Sequence, residues 1–176
     1  EKVLPDLMCL AKGLTGGYLP LAATLTTERV YSAFLGLPDE GRTFYYGHTY
    51  TGNPVGCAVA LASLDLFDTE RVIEGLAKKI HRLTTQLDSQ MKHLRHVADI
   101  RQRGLMVGIE LARDPATRAP YASDERIGAR VTVAARAHNV IIRPLGDVIV
   151  LMPPLSIRLS EIDSLVSAVR QAIVSV

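Results

Sequence analysis

The 176 residues are 48% hydrophobic and 22% charged, with 20 basic and 18 acidic side chains giving a formal charge of +2. That composition supports one sizeable core or two small ones and excludes a disordered tail. The near balance of charge, with no basic run interleaved with aromatics, excludes a nucleic-acid surface, and the longest apolar runs fall far short of the roughly 20 residues that span a bilayer.

The chain opens on Glu1-Lys2-Val3-Leu4-Pro5-Asp6 with no initiator methionine, which reads as the interior of a longer chain. Next comes Leu7-Met8-Cys9-Leu10-Ala11, an apolar run ending on Lys12 and followed by Gly13, Gly16 and Gly17. An apolar run bounded by turn residues predicts a buried strand with Lys12 at its mouth. A lysine held partly out of water there presents an amine that can attack a carbonyl, and glycines beside it allow a planar cofactor or a phosphate to approach the backbone. The alternative is a strand-end lysine whose head simply reaches solvent.

A second strand is expected over 19–25 and a short helix over 30–35, started by Thr26-Thr27-Glu28, with a polar loop over 36–42. The stretch Gly47-His48-Thr49-Tyr50-Thr51-Gly52-Asn53-Pro54 then leads into Val55-Gly56-Cys57-Ala58. Asn53 is a good N-cap and Pro54 a good first helical residue, so a helix starts here, and its small apolar composition predicts burial nearly all round. The turn before it, rich in hydroxyls and close to a helix N-terminus, suits a phosphate or carboxylate; the alternative is a turn satisfied by its own side chains. Cys9 and Cys57, outside any ligand spacing, read as buried free thiols of a reducing, cytoplasmic compartment.

Beyond residue 68 the sequence becomes longer in side chain, charged and amphipathic. Ile73, Leu76, Ile80, Leu83, Leu87 and Met91 recur at helical spacing over 72–94. Strands are expected at 97–101 and 105–111, a loop at 114–123, a helix at 124–138, strands at 140–143 and 148–152, and a last helix capped by Ser160-Glu161-Ile162-Asp163. This order predicts a compact α+β domain with helices on one face of a mainly antiparallel sheet. His93 and His96 lack a third ligand and read as surface histidines rather than a metal site. Arg143, pushed into extended backbone by Pro144, can offer its planar fork to a carboxylate or serve as one half of a structural ion pair.

Three segments in order, Pro5-Asp6-Leu7 through Lys12-Gly13 to Gly16-Gly17, then Gly47-His48-Thr49-Tyr50 to Asn53-Pro54, then Arg143-Pro144-Leu145-Gly146-Asp147 with Pro153-Pro154-Leu155, resemble the class III, fold type I aminotransferases that use pyridoxal 5′-phosphate. The resemblance covers nearly the whole chain. It implies an α/β fold: residues 1–68 as the C-terminal part of the large cofactor-binding domain, and 69–176 as a small α+β C-terminal domain. By the same resemblance Lys12 bonds to the cofactor aldehyde and is the catalytic base, and His48 with Thr49 binds the cofactor phosphate across a homodimer. Gly47 contacts substrate, and Arg143 holds the substrate carboxylate. Within the class, the ending is most similar to the biotin-pathway branch that transaminates 8-amino-7-oxononanoate to 7,8-diaminononanoate. The alternatives are an ω-amino acid:pyruvate transaminase and a non-catalytic folding or dimerisation module. His48 stands where members using S-adenosylmethionine often carry proline, which is closer to members using lysine as amino donor. The resemblance also implies that the aspartate pairing with the pyridine nitrogen lies in an N-terminal part of the family chain, so these residues alone are expected to be inactive.

Overall fold

The computed structural model describes residues 2–176, and the chain divides into two compact units between Arg71 and Val72. In the first unit, β1 (Leu7–Leu10) pairs antiparallel with β2 (Ala23–Thr26), with Leu7 opposite Thr26 and Leu10 opposite Ala23. The second strand starts later than its apolar run because Pro20 has no N–H to give a ladder. A helical turn, α1 (Glu28–Ser32), follows Thr27, and after a loop comes α2 (Pro54–Thr69). Asn53 caps α2 as its sequence indicates: its Oδ1 accepts the Val55 and Gly56 N–H groups at 2.9 and 3.2 Å.

The expected burial of this unit is not found. Leu7 and Met8 on β1 are 58% and 44% exposed, and along α2 only Gly56 and Ala60 are buried. Cys9 and Cys57 are free, as expected, but exposed. The physical reason is the absence of a second layer: a two-stranded ribbon and one long helix leave most apolar faces without a cover among the described residues of this unit.

In the second unit, α3 (Val72–Gln90) leads to the hairpin β3 (Val97–Arg103) and β4 (Met106–Leu111). Then follow α4 (Ile127–Ala135), the hairpin β5 (Arg143–Leu145) and β6 (Val148–Leu151), and α5 (Leu159–Val174). The sheet is wholly antiparallel in the order β3-β4-β6-β5. Its pleat sorts the residues. Val107, Ile109 and Leu111 of β4 and Ile149 and Leu151 of β6 turn one way and are buried, whereas Gly108, Glu110, Val148 and Val150 on the other face are half-buried. Onto the buried face pack Leu83 and Leu87 of α3, Ile127 and Val131 of α4, and Ile162, Val166 and Val169 of α5. Full burial of each such side chain contributes about 1.5–3 kcal/mol, which is what makes this unit a core in its own right.

Two expectations shift. The strand expected over 140–143 begins at Arg143, because the Gly146-Asp147 turn, with Gly146 at φ 59°, fixes which residues pair: Leu145 with Val148 and Arg143 with Val150. The last helix is capped two residues earlier than Ser160, at Arg158, with the Glu161 carboxylate accepting the Arg158 N–H at 2.7 Å.

Helices α3 and α5 are joined by a bidentate pair, Arg82 Nε and Nη2 each donating to Asp163 at 2.7 Å. The hydrogen bonds from Arg82 hold the Asp163 carboxyl below its ordinary value, and those from Arg113 and Ala122 do the same for Glu125. A carboxylate with a depressed folded-state pKa contributes stability that is complete above its unfolded value, about 4, and is lost as pH falls through the folded value. Thermal melts are therefore expected to show the second unit losing stability on acidification below about pH 4. Asp163→Asn should lower the melting temperature at neutral pH and flatten that acid slope. A slope unchanged by the substitution would remove the pair from the account.

Candidate active site

Lys12 is separated from the end of β1 only by Ala11 and opens a 3-10 turn, Lys12–Thr15. Its backbone is left-handed, φ 51°, a conformation that costs a residue with a side chain roughly 1 kcal/mol and persists only where surroundings impose it. The bond that spans it is local, the Leu14 N–H donating to the Ala11 carbonyl at 3.1 Å, and Thr15, 1% exposed, ties off the end of the turn through its hydroxyl, which donates to the Leu19 carbonyl at 2.6 Å. Leu21, just beyond, lies 3.5 Å from where a Cβ on Gly56 of α2 would sit, so ribbon and helix are in close contact here. Sequence reasoning did not single out Thr15; its signal was a threonine inside the glycine-rich turn, a residue that bonds locally to backbone.

The Lys12 side chain is exposed, which corrects the expectation of an amine held out of water. The cause is the bare ribbon already described: no described residue of this unit covers the strand end. Among the described residues the amine has no ion-pair partner.

The turn before α2 is partly self-satisfied. The His48 N–H donates to Thr51 Oγ1 at 3.1 Å, and His48 Nδ1 accepts the Tyr50 N–H at 3.1 Å. That bond makes Nδ1 the acceptor and places the ring proton of neutral His48 on Nε2. With Asn53 occupying the first N–H groups of α2, the helix terminus itself has little left to offer an anion, contrary to the sequence expectation. Thr49 differs. It is exposed, and among the described residues neither its N–H nor its hydroxyl has a partner. At Gly47 an added Cβ meets nothing nearer than Thr51 Oγ1 at 3.8 Å, so nothing among the described residues demands glycine there.

In the second unit, Arg143 is exposed on the edge strand β5 with no ion-pair partner among the described residues, so the alternative of a structural ion pair is not what the fold builds. Beside it runs an open, largely apolar groove lined by Val140, Ile142, Val150, Met152 and Leu165. Arg101, by contrast, is engaged with Asp99 at 2.9 Å and with Glu110. His96 is half-buried and bonded through Nδ1 to the Tyr121 hydroxyl, while His93 is exposed. Among the described residues no group of three metal-ligating side chains forms. Among the described residues no helix is long and apolar enough to cross a membrane.

A family model for class III aminotransferases matches residues 1–173. The chain belongs to that family, whose members depend on pyridoxal 5′-phosphate. Among curated relatives it is similar to the adenosylmethionine-8-amino-7-oxononanoate aminotransferase of Nitratidesulfovibrio vulgaris, 58% identical over 176 residues, covering all of this chain and 32% of the relative. The protein of the same name from Geobacter sulfurreducens is 53% identical over 173 residues, 98% of this chain and 38% of the relative. The crystal structure of the Methanocaldococcus jannaschii protein of that name superposes with a TM-score of 0.93 at 49% identity, over 98% of this chain and 39% of that one. An (S)-enantioselective omega-transaminase from Thermomicrobium roseum superposes at 0.90 with 34% identity, over 98% and 38%. The chain thus spans between 32% and 39% of the length of these relatives.

Pyridoxal 5′-phosphate asks of its protein an amine for the aldehyde and donors for a phosphate dianion. The residues present fit: among the described residues Lys12 offers an amine without an ion-pair partner, and Thr49 an N–H and a hydroxyl without a partner.

Proposed function

We propose that these residues act as the C-terminal part of a longer pyridoxal 5′-phosphate-dependent aminotransferase that moves an amino group onto 8-amino-7-oxononanoate. The observation that carries the reading is Lys12, an amine without an ion-pair partner among the described residues, held on a strained left-handed backbone one residue past the end of a strand. Bound there, the cofactor supplies an aldehyde to hold the migrating amine and an electron-poor ring to take up the electrons freed from the donor. The chain's residues do the rest. Lys12 holds the aldehyde at rest, and its free Nζ then removes a proton from the donor carbon and returns it as the amine moves. Thr49, through its N–H and hydroxyl, and His48, through Nε2–H, hold phosphate oxygens.

We place the His48-Thr49 pair at the phosphate of a second subunit in a homodimer. Phe44, Tyr45, Tyr46 and Tyr50 support this, since they leave 65%, 89%, 79% and 73% of their area open on the same loop. Gly47 leaves room for substrate against its backbone. Arg143 binds the keto acid's carboxylate in a bidentate pair, and the groove beside it suits an apolar carbon chain. The names of the relatives at 50–58% identity favour adenosylmethionine over lysine as amino donor, against the inference from His48. The free thiols Cys9 and Cys57 support a reducing, cytoplasmic setting.

The test is an assay of the full-length protein with 8-amino-7-oxononanoate or pyruvate as acceptor, and adenosylmethionine or lysine as donor. Turnover confined to pyruvate makes it an ω-transaminase; none in protein that binds cofactor overturns the reading. Arg143→Ala is expected to raise KM for the keto acid by about 10- to 100-fold, the worth of a charge-assisted pair, with cofactor absorbance unchanged.

A second reading, a folding and dimerisation module without turnover, is favoured by the scarcity of buried residues in the first unit, where only Thr15, Gly56 and Ala60 are buried among those described. A yellow, borohydride-sensitive band in full-length protein rejects it.

A further inference from the structure

We infer that Asp147 and Gly128 are the positioning residues that aim Arg143, an inference that rests on the carboxylate role proposed for that arginine. Strand β5 is poorly placed to fix its own side chains. It is three residues long and lies at the sheet edge, and Pro144 at its centre sits opposite Ile149 in a position that gives β6 no hydrogen bond, so only its two end residues can bond to the sheet. What holds it is the turn that follows. The Asp147 carbonyl accepts the Leu111 N–H at 3.0 Å, fastening the turn to β4, and Asp147 Oδ1 accepts the Gly128 N–H at 3.3 Å, fastening it to α4.

The second bond meets a need of the helix. The residue before α4, Arg126, is left-handed at φ 45° and its side chain makes no cap, so the first N–H groups of α4 have no local acceptor. Asp147 supplies one from a distant part of the chain, with a charge that the helix N-terminus favours. Gly128 permits the approach. A Cβ there would lie 2.2 Å from the Gly146 carbonyl oxygen and 3.0 Å from Pro144 Cβ, so only glycine lets the helix end rest directly against the turn. Pro144, clamped on this side, in turn restricts the backbone of Arg143. The clasp therefore sets the direction of the guanidinium without touching any substrate.

The experiment compares Asp147→Ala, Asp147→Asn and Arg143→Ala in the full-length protein, read by KM and kcat for 8-amino-7-oxononanoate and by cofactor absorbance. Hydrogen exchange of 127–130 and 143–151 is measured in parallel. The expected result for Asp147→Ala is a rise of about tenfold in KM with kcat within about twofold and the absorbance band intact, the signature of a misaimed binding group. Exchange should quicken at both ends of the clasp while the rest of the unit stays protected. Asp147→Asn, which keeps the Oδ1 acceptor, should recover most of the KM and the protection; should Asp147→Ala fail to fold, Asn against Ser at this position gives the same comparison. If Arg143→Ala raises KM and Asp147→Ala does not, the clasp is only structural and the inference is overturned while the proposed function stands. If Arg143→Ala itself leaves KM unchanged, the carboxylate role falls and the aiming role with it.

Discussion

Lys12→Ala is expected to abolish the yellow, borohydride-sensitive absorbance of the cofactor-loaded protein and to lower kcat by at least about a thousandfold, since both the covalent hold on the aldehyde and the proton carrier are lost with one amine. Lys12→Arg makes the sharper comparison. An arginine preserves the charge and the reach of a strand-end cation but can neither bond to an aldehyde nor give up its proton, so the same losses should follow. If Lys12 were only a solvated strand end, the Lys12→Arg variant would behave like the unchanged protein. The backbone adds an independent readout. Because the residue sits at φ 51°, Lys12→Gly should be more stable than Lys12→Ala by about 1 kcal/mol, as glycine alone enters that region without strain. A melting experiment reporting the reverse order would mean that the backbone at Lys12 does not hold the left-handed conformation in solution.

The parts of this fold legible in the sequence are those decided locally. Asn53-Pro54 starts α2 because the cap and the first helical residue are neighbours in sequence, and the helical spacing of Leu76, Ile80, Leu83 and Leu87 gives α3 its buried stripe because periodicity is also local. The alternating order of helices and hairpins in the second unit followed from the same signals. What the sequence misstated depends on distant surfaces. The composition of α2 specifies a helix that is apolar on all sides, but whether those sides are covered depends on what packs there, and residues 2–71 supply almost nothing. The same shortfall put Lys12 in solvent where a desolvated amine was expected.

At Arg143 the error had a different source. The apolar run Val140-Ile141-Ile142 resembles a strand, yet the tight Gly146-Asp147 turn dictates that pairing begins next to it, so the strand is Arg143–Leu145 and the run lies outside it. The extended backbone expected at residue 143 is common to both arrangements, since an arginine before a proline is extended in either. Thr15 and Gly128 were not singled out, and Asp147 entered only as the end of a motif, because what each does depends on its contacts, and for Gly128 and Asp147 those contacts join segments that nothing in the sequence pattern brings together.

Gly128→Ala is the substitution from which the largest loss of stability is expected. A methyl group at 2.2 Å from a carbonyl oxygen cannot be absorbed by a rotamer change, because the atom it meets is backbone. Nor is that backbone free to retreat. Gly146 sits in a left-handed turn, and the next residue is fastened through its carbonyl to Leu111 of β4, a strand whose Val107, Ile109 and Leu111 are all at most 3% exposed. The strain must therefore pass into α4, withdrawing Ile127 and Val131 from the core. Overpacking with displacement of a core helix costs about 3 kcal/mol, which for a unit of this size lowers the melting temperature by roughly 15 °C. Gly75→Ala supplies the control. Gly75 lies inside α3, a Cβ there meets nothing within 4 Å, and its φ is not left-handed, so alanine should raise stability by about 0.5–1 kcal/mol. Melts of the two variants in the 176-residue chain should therefore move in opposite directions. Equal behaviour would show that the contact between α4 and the Gly146 turn is looser than a 2.2 Å approach implies, and would remove the mechanical link between that helix and Arg143.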